Sequence, residues 1–305
     1  MISYWKRTTE SGATGQVVGP ATDTWAYVTD PTDAELDALV ADGVLERDLL
    51  QDAIDPNEVP RVQHERGVTY FFLRAPSGQA EGTQTVPLLI ALAPTFLLTV
   101  SRAPFTWLER FRGEETYSTA WRSQLVWRIF LALAGRYQTT VTDIARRVRS
   151  NVGVSQSIHN EDIFRLVAYE GVLNDMLAAL VPTSAILAGV ATGKHMKIYE
   201  EDKDLMEDVV LSVGQVIEAA KAQLKTTVNY REAYSVIATN NLNRIIKFLT
   251  LVTVVLTVPM VVSGLYGMNV RLPLGDHPYA FGFIVTGTIA VVIGLLRVLS
   301  AKRLL

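Results

Sequence analysis

Phe248 to Val270 reads FLTLVTVVLTVPMVVSGLYGMNV, 23 residues without a charged side chain, and Pro278 to Leu296 is a second charge-free run of 19. A helix needs about 20 apolar residues to cross a hydrocarbon core, so each run is long enough to span a membrane. A buried core helix is the alternative for either run alone. A globular core rarely needs two such runs separated by a short polar loop. The other apolar stretch, Val86 to Val100, has only 15 residues and carries Pro87 and Pro94. It reads as two short buried strands.

Two spans joined by Arg271 to His277 form a hairpin, which puts both chain ends on one side. Arg244 and Lys247 precede the first span, and Arg297, Lys302 and Arg303 end or follow the second, whereas the loop sets Arg271 against Asp276. By the positive-inside rule the large N-terminal part and the C-terminus are cytoplasmic and the loop is outside. This predicts a multi-pass protein of the cell membrane. Pro259 removes one backbone donor and should bend the first span. Two helices cannot enclose an aqueous path, so conduction requires an oligomer.

Composition supports this division. Of the net charge of −3 over 305 residues, residues 1–247 carry −6 and residues 248–305 carry +3. The charged fraction, 19%, falls below the roughly 25% of a soluble domain. The absence of cysteine excludes a disulfide framework, a thiolate zinc site and a thiol nucleophile. An acidic body is a poor match for nucleic acid, which asks for a basic stripe. Met1 to Gly12 has Lys6 and Arg7 but no apolar run behind them, so no secretory signal is expected.

The remainder reads as an α/β domain over 1–105 and a helical region over 106–200. Val68 to Leu73, Leu88 to Leu92 and Thr95 to Val100 are strand candidates, and Thr32 to Ala41 is a short helix. Ser118 to Asn151 repeats Trp121, Leu125, Ile129, Leu133, Val141, Ile144 and Val148 at helical spacing. Asp162 to Gly189 does so with Ile163, Leu166, Val167, Leu173, Leu177, Leu180 and Ile186, with Pro182 expected to kink or break it. Over 201–265 only Pro259 and Gly214 interrupt the helical composition, apart from Gly264 near the exit. One helix of that length would extend roughly 100 Å, from deep in the cytoplasm through the span at about 248–266. The loop follows over 267–277, the second span over 278–298 and a basic tail over 299–305.

At the exit of the first span stands Tyr266-Gly267-Met268-Asn269. Gly-Met-Asn at this place, followed by a short loop and a last apolar segment, resembles the signature of the CorA family of divalent-cation transporters. Asn243 to Thr250 (NRIIKFLT) is similar to that family's pattern ahead of the membrane, Pro259 falls where many members carry proline, and Asp55 to Val62 (DPNEVPRV) resembles the turn before the first long strand of its cytoplasmic domain. The resemblance implies an α+β cytoplasmic domain joined by a very long stalk helix to a two-helix transmembrane hairpin. It further implies a homopentameric funnel with five copies of the stalk around the pore, and Mg²⁺ uptake with Co²⁺ or Ni²⁺ often accepted.

Physical chemistry gives these residues roles. Mg²⁺ gives up its water reluctantly, so a site that meets it in transit should recognise the hydrated ion. A ring of neutral Asn269 amide oxygens accepts hydrogen bonds from that water without the grip of carboxylates. Gly267 permits a tight backbone turn beside Met268. A plain polar turn at the membrane surface would use the same residues. Glu232, Ser235, Thr239, Asn243, Ile246, Leu249 or Thr250, Thr253, Thr257 and Gly264 follow the spacing of a bundled helix. Ile246 and Leu249 are gate candidates, since an apolar constriction closes by dewetting, and the family also places apolar gate residues here. Membrane threonines bonded to their own backbone are the alternative for each threonine.

Glu200 to Asp208 holds six carboxylates in nine positions. A solvated helix start accounts for them. In a pentamer, acidic helix ends packed together would instead be relieved by a cation, making Asp208, Asp204 and Glu207 a regulatory Mg²⁺ site. Asp208 falls where the resemblance places a regulatory aspartate, and its partner carboxylate is not assignable from sequence. The outer loop departs from members with a Met-Pro-Glu-Leu loop, because Asp276 is opposed by Arg271.

The leading expectation is therefore a Mg²⁺ channel in the lipid bilayer, driven by membrane potential and gated by internal Mg²⁺, without organic cofactor. A zinc transporter of the same superfamily is the second. Its preferred soft ligands are scarce, with four scattered histidines, His64, His159, His195 and His277. A membrane-tethered scaffold is the third. No G-x-S-x-G, H-E-x-x-H or G-x-x-x-x-G-K-[ST] motif supports an enzyme.

Overall fold

The computed structural model describes residues 1–7, 15–78, 83–111, 117–154, 160–268, 270, 273 and 278–301. Two compact units are distinguished, Met1–Arg231 and Glu232–Leu305.

The first unit is built on a seven-stranded sheet of order β2-β1-β3-β7-β6-β5-β4. Its strands are β1 (Ile2–Lys6), β2 (Gly15–Val17), β3 (Thr24–Thr29), β4 (Arg61–Glu65), β5 (Val68–Ser77), β6 (Gln84–Leu92) and β7 (Phe96–Ser101). All neighbours are antiparallel except β3 and β7. Alternation sorts the side chains to two buried faces. Ala26, Val28, Val68, Tyr70, Phe72, Leu89, Ala91, Leu98 and Val100 join Leu36, Leu49 and Leu50 of the short helices α1 (Asp33–Val40) and α2 (Arg47–Asp52) in one core. On the opposite face Phe71 meets Phe130 edge-to-face at 5.8 Å. That layer belongs to α4 (Arg122–Val154) and α5 (Asn160–Ala191), which follow α3 (Thr106–Phe111). The strands and α1 expected from sequence are present. β5 and β6 run longer than expected, each carrying a proline where it has outgrown a neighbour: Pro76 lies beyond the reach of β4, and Pro87 one residue before β7 begins to pair.

Local chemistry explains the boundaries. Thr32 accepts from the Glu35 amide at 3.3 Å while Glu35 Oε2 accepts from the Thr32 amide at 2.9 Å, a reciprocal cap that starts α1. Arg66 and Gly67, at φ 49° and 79°, form the two-residue turn between β4 and β5, and only glycine takes such angles at little cost.

Two expectations are corrected. Trp121 does not belong to the buried helical stripe: it precedes α4, is 55% exposed, and its carbonyl accepts the Leu125 amide as the helix opens. Pro182 does not break α5, which runs unbroken over 32 residues. Beside it the Thr183 hydroxyl donates to the Ala179 carbonyl at 2.8 Å.

A 3-10 turn, Glu200–Asp202, leads into α6 (Lys203–Tyr266), the long helix expected, at 64 residues. In the first unit α6 buries Val209, Val213, Val216, Ile217, Ala220, Gln223 and Thr227. In the second unit it continues to Tyr266, and α7 (Ala280–Ala301) follows. Among the described residues three helices are long and apolar enough to cross a membrane by length and composition: α6, α7 and, beyond the two expected, α5. Burial separates them. The most apolar stretch of α5 is 44% buried, whereas those of α6 and α7 are wholly unburied. Leu166, Tyr169, Leu173, Met176 and Leu180 supply the buried face of α5, so its apolar character serves the core of the first unit.

Candidate ion pathway and cation sites

In the second unit Glu232, Asn243, Ile246, Leu249, Thr253, Thr257 and Gly264 all lie on α6 and all are exposed in the single chain. Ile246 and Leu249 are 52% and 63% exposed, so the described residues leave the gate candidates largely open. The hydroxyl of Thr253 donates to the Leu249 carbonyl at 2.9 Å, and that of Thr257 to the Thr253 carbonyl at 2.7 Å. Thr239 donates to Ser235 in the same way, at 2.9 Å. Each hydroxyl hydrogen is therefore bonded within the helix, as the backbone-bonding alternative anticipates, and each oxygen keeps a lone pair for a further donor.

The exit of α6 is tight. The Gly267 amide donates to the Ser263 carbonyl at 2.9 Å, and Met268 to Leu265 at 3.3 Å. A Cβ on residue 267 would sit 3.1 Å from the Ser263 carbonyl oxygen, so this turn favours glycine. Tyr266 donates its hydroxyl to the Pro273 carbonyl at 3.4 Å. Asn269, and Arg271 and Asp276 of the loop, lie outside the described residues.

The acidic start of α6 separates into different roles. Asp202 is only 4% exposed and accepts from the Ser123 hydroxyl at 2.7 Å, so it is part of the packing and not of the solvated group. Glu200 pairs with Lys203 at 2.6 Å. Asp204, Glu207 and Asp208 are exposed at spacings of three and four residues, opposite the buried Val209 and Val213. Among the described residues no group of three or more His, Asp or Glu side chains could hold a metal within one chain.

Sequence reasoning missed a second acidic surface. Asp48, Asp52 and Asp55, on α2 and the turn after it, line an open depression of about 490 Å³ with Gln51 and Ile54. Asp52 is paired with Arg61 at 2.7 Å, and Asp55 caps the Asn57 amide at 2.9 Å. Their spacing in the sequence, four and then three, was the available signal. The adjoining Asp55–Val62 turn is fixed from both sides. Arg61 lies 3.8 Å from the Phe72 ring centre and pairs with Glu58 at 3.0 Å. Arg74 donates to the carbonyls of Pro56 and Glu58 at 2.8 and 2.7 Å.

Along the chain a sheet-based unit is thus followed by a 64-residue helix with an apolar end, a glycine turn and a second apolar helix. The family model described as CorA-like Mg²⁺ transporter protein matches residues 21–303. The chain belongs to the CorA family. CorA proteins are transporters of divalent cations, not enzymes, so this one has no catalytic site to assign. The cobalt/magnesium transport protein CorA of Methanocaldococcus jannaschii is 23% identical over 280 residues, covering 88% of this chain and 87% of that protein. The complete structure of the CorA magnesium transporter from the same organism superposes with a TM-score of 0.82 at 18% identity, over 98% of this chain and 97% of the other. The cytoplasmic domain of ZntB from Vibrio parahaemolyticus matches with a TM-score of 0.59 at 10% identity, over 78% of this chain and 98% of its own length. At these identities the two superpositions establish shared fold only. The CorA fold here is a soluble domain followed by a long helix and a C-terminal helix.

Proposed function

We propose that this CorA-family chain is one subunit of a homopentameric Mg²⁺ uptake channel, with Co²⁺ or Ni²⁺ as accepted ions. The observation that carries the reading is that α6 is continuous from three exposed carboxylates, Asp204, Glu207 and Asp208, to the glycine turn at Gly267. Five such helices around an axis put Asn243, Ile246, Leu249, Thr253, Thr257 and Gly264 on the path, with Glu232 further in. Gly267, Met268 and Asn269 form the mouth, where amide oxygens meet the hydrated ion. Ile246 and Leu249 close the path by dewetting. α6 and α7 are the membrane hairpin, with the N-terminal unit and the C-terminus in the cytoplasm.

Internal Mg²⁺ closes the channel by bridging the acidic start of α6 in one subunit to carboxylates of another. The Asp48, Asp52 and Asp55 depression is a suitable counterpart on the neighbour. Entry needs no nucleotide or proton coupling, since a divalent ion gains roughly 4–5 kcal/mol per 100 mV of inside-negative potential.

Uptake by proteoliposomes tests the reading. Mg²⁺ should enter down an imposed potential, Asn269→Ala should abolish selective entry, and crosslinking in detergent should yield a pentamer. Wild-type flux through Asn269→Ala would remove the filter assignment. A monomer or dimer would favour the scaffold. Entry of Zn²⁺ undiminished by excess Mg²⁺ would favour the zinc reading, to which the fold shared with ZntB lends support.

A further inference from the structure

A cavity of about 640 Å³ lies in the first unit, among the β4–β5 hairpin, the start of α4 and the segment between α5 and α6. Its volume is that of a small-molecule site. Nothing in the transport reading uses it.

Its walls have a definite chemistry. Trp121 and Tyr199 line it while remaining 55% and 47% exposed, so part of each aromatic surface stays open. His64 and His195 supply hydrogen-bonding edges. The Thr69 hydroxyl donates to the His195 carbonyl at 2.9 Å, so its contact with His64 Nδ1 at 3.1 Å must be one that Thr69 accepts. This puts the proton on Nδ1 and leaves Nε2 of the neutral ring as an acceptor. Burial, Lys194 and His64 together lower the pKa of His195, which favours its neutral form.

The charges are unequal in availability. Arg122 is held on Asp23 at 2.7 Å, and Asp202 accepts from Ser123. Lys197 lies 4.9 Å from the Tyr199 ring centre, and no carboxylate among the described residues forms a salt bridge with it. Glu201 is an exposed carboxylate on the same wall, which disfavours the added charge of a di- or triphosphate.

We propose that this cavity binds a planar heteroaromatic ligand with one acidic group, of the class of a nucleoside monophosphate. The ring stacks on Trp121 and Tyr199, its polar edge meets the imidazoles, and the phosphate meets Lys197. The ligand would thus touch both the residue that precedes α4 and the segment that leads into α6.

Equilibrium dialysis of the full-length chain in detergent, with adenosine 5′-monophosphate as probe, tests the proposal. Saturable binding is expected, weakened about tenfold by Trp121→Ala, as loss of a stacking platform implies, and to a similar extent by Lys197→Gln. Both residues are exposed, and circular dichroism checks that each variant is folded. Adenosine should bind about tenfold more weakly than the monophosphate, and inorganic phosphate should not compete at equal concentration. No saturable binding at millimolar probe, or equal binding by wild type and both folded variants, overturns the site. Adenosine binding as tightly as its monophosphate overturns the role of Lys197.

Discussion

Ser123 donates its hydroxyl hydrogen to Asp202 Oδ2 across 2.7 Å, tying the first turn of α4 to the 3-10 turn that opens α6. Asp202 is 4% exposed, so water does not readily replace the hydroxyl. A buried carboxylate that loses its donor bears the full cost of its desolvation, about 1–3 kcal/mol or more. Ser123→Ala should therefore destabilise the first unit by about that amount in urea unfolding. Ser123→Ala combined with Asp202→Asn should recover part of the loss, because the neutral amide is cheaper to bury. Equal midpoints for wild type and Ser123→Ala would show that the bond contributes nothing.

The turn at Gly267 makes a sharper demand. A Cβ there meets the Ser263 carbonyl oxygen at 3.1 Å, while one at Gly264 meets nothing within 4 Å in the single chain. Gly267→Ala should cost about 1–3 kcal/mol in detergent stability, as overpacking does, and lower uptake. Thermal melts of the variant and wild type, with flux assayed at 10 °C below the lower midpoint, separate the two effects.

For the proposed gate, Leu249→Asn or Ile246→Asn should hydrate the constriction that these residues are inferred to form. Uptake should then continue at internal Mg²⁺ levels that silence the wild type, and a variant still fully silenced would exclude that position from the gate.

The proposed regulation places Mg²⁺ sensing on Asp204, Glu207 and Asp208. Mg²⁺ should protect the wild-type oligomer from protease. Asp208→Lys should either abolish that protection or reproduce it without the ion. An unchanged Mg²⁺ response in the triple amide variant would remove these residues from the sensor.

His195 gives a pH dependence. Its folded pKa lies below the unfolded value of about 6.5, so the unfolded chain binds the proton more readily. The contribution of this residue to stability is constant above that range and is lost as pH falls through it. Lys194 and His64 act in the same direction, while Glu201 and Asp202 share the cavity wall. The unfolding midpoint should fall as pH is lowered through about 6.5, and fall less in His195→Gln.

Different parts of the fold were visible in sequence to different degrees. α1 was legible because Thr32 and Glu35 cap it locally, and β5 to β7 because apolar runs end at turn residues. α6 was legible because little interrupts its helical composition. Asp202 was not separable from its acidic neighbours, since the hydroxyl that fixes it lies 79 residues away. Trp121 fitted the stripe of α4 by spacing, but a residue at the helix start escapes the packing that the spacing describes. The spacing of Asp48, Asp52 and Asp55 was a weak signal, because α2 has only six residues and Asp55 lies beyond its end.

The back-bonded threonines have a consequence for charge preference. With the hydroxyl hydrogens of Thr253 and Thr257 turned into the helix, what these residues offer a path along α6 is oxygen lone pairs. Water around a cation points its hydrogens outward, and water around an anion points its oxygens outward. A wall of acceptors complements the first shell and opposes the second. Such a conduit would discriminate by the sign of the ion without a single ionised side chain in its membrane section.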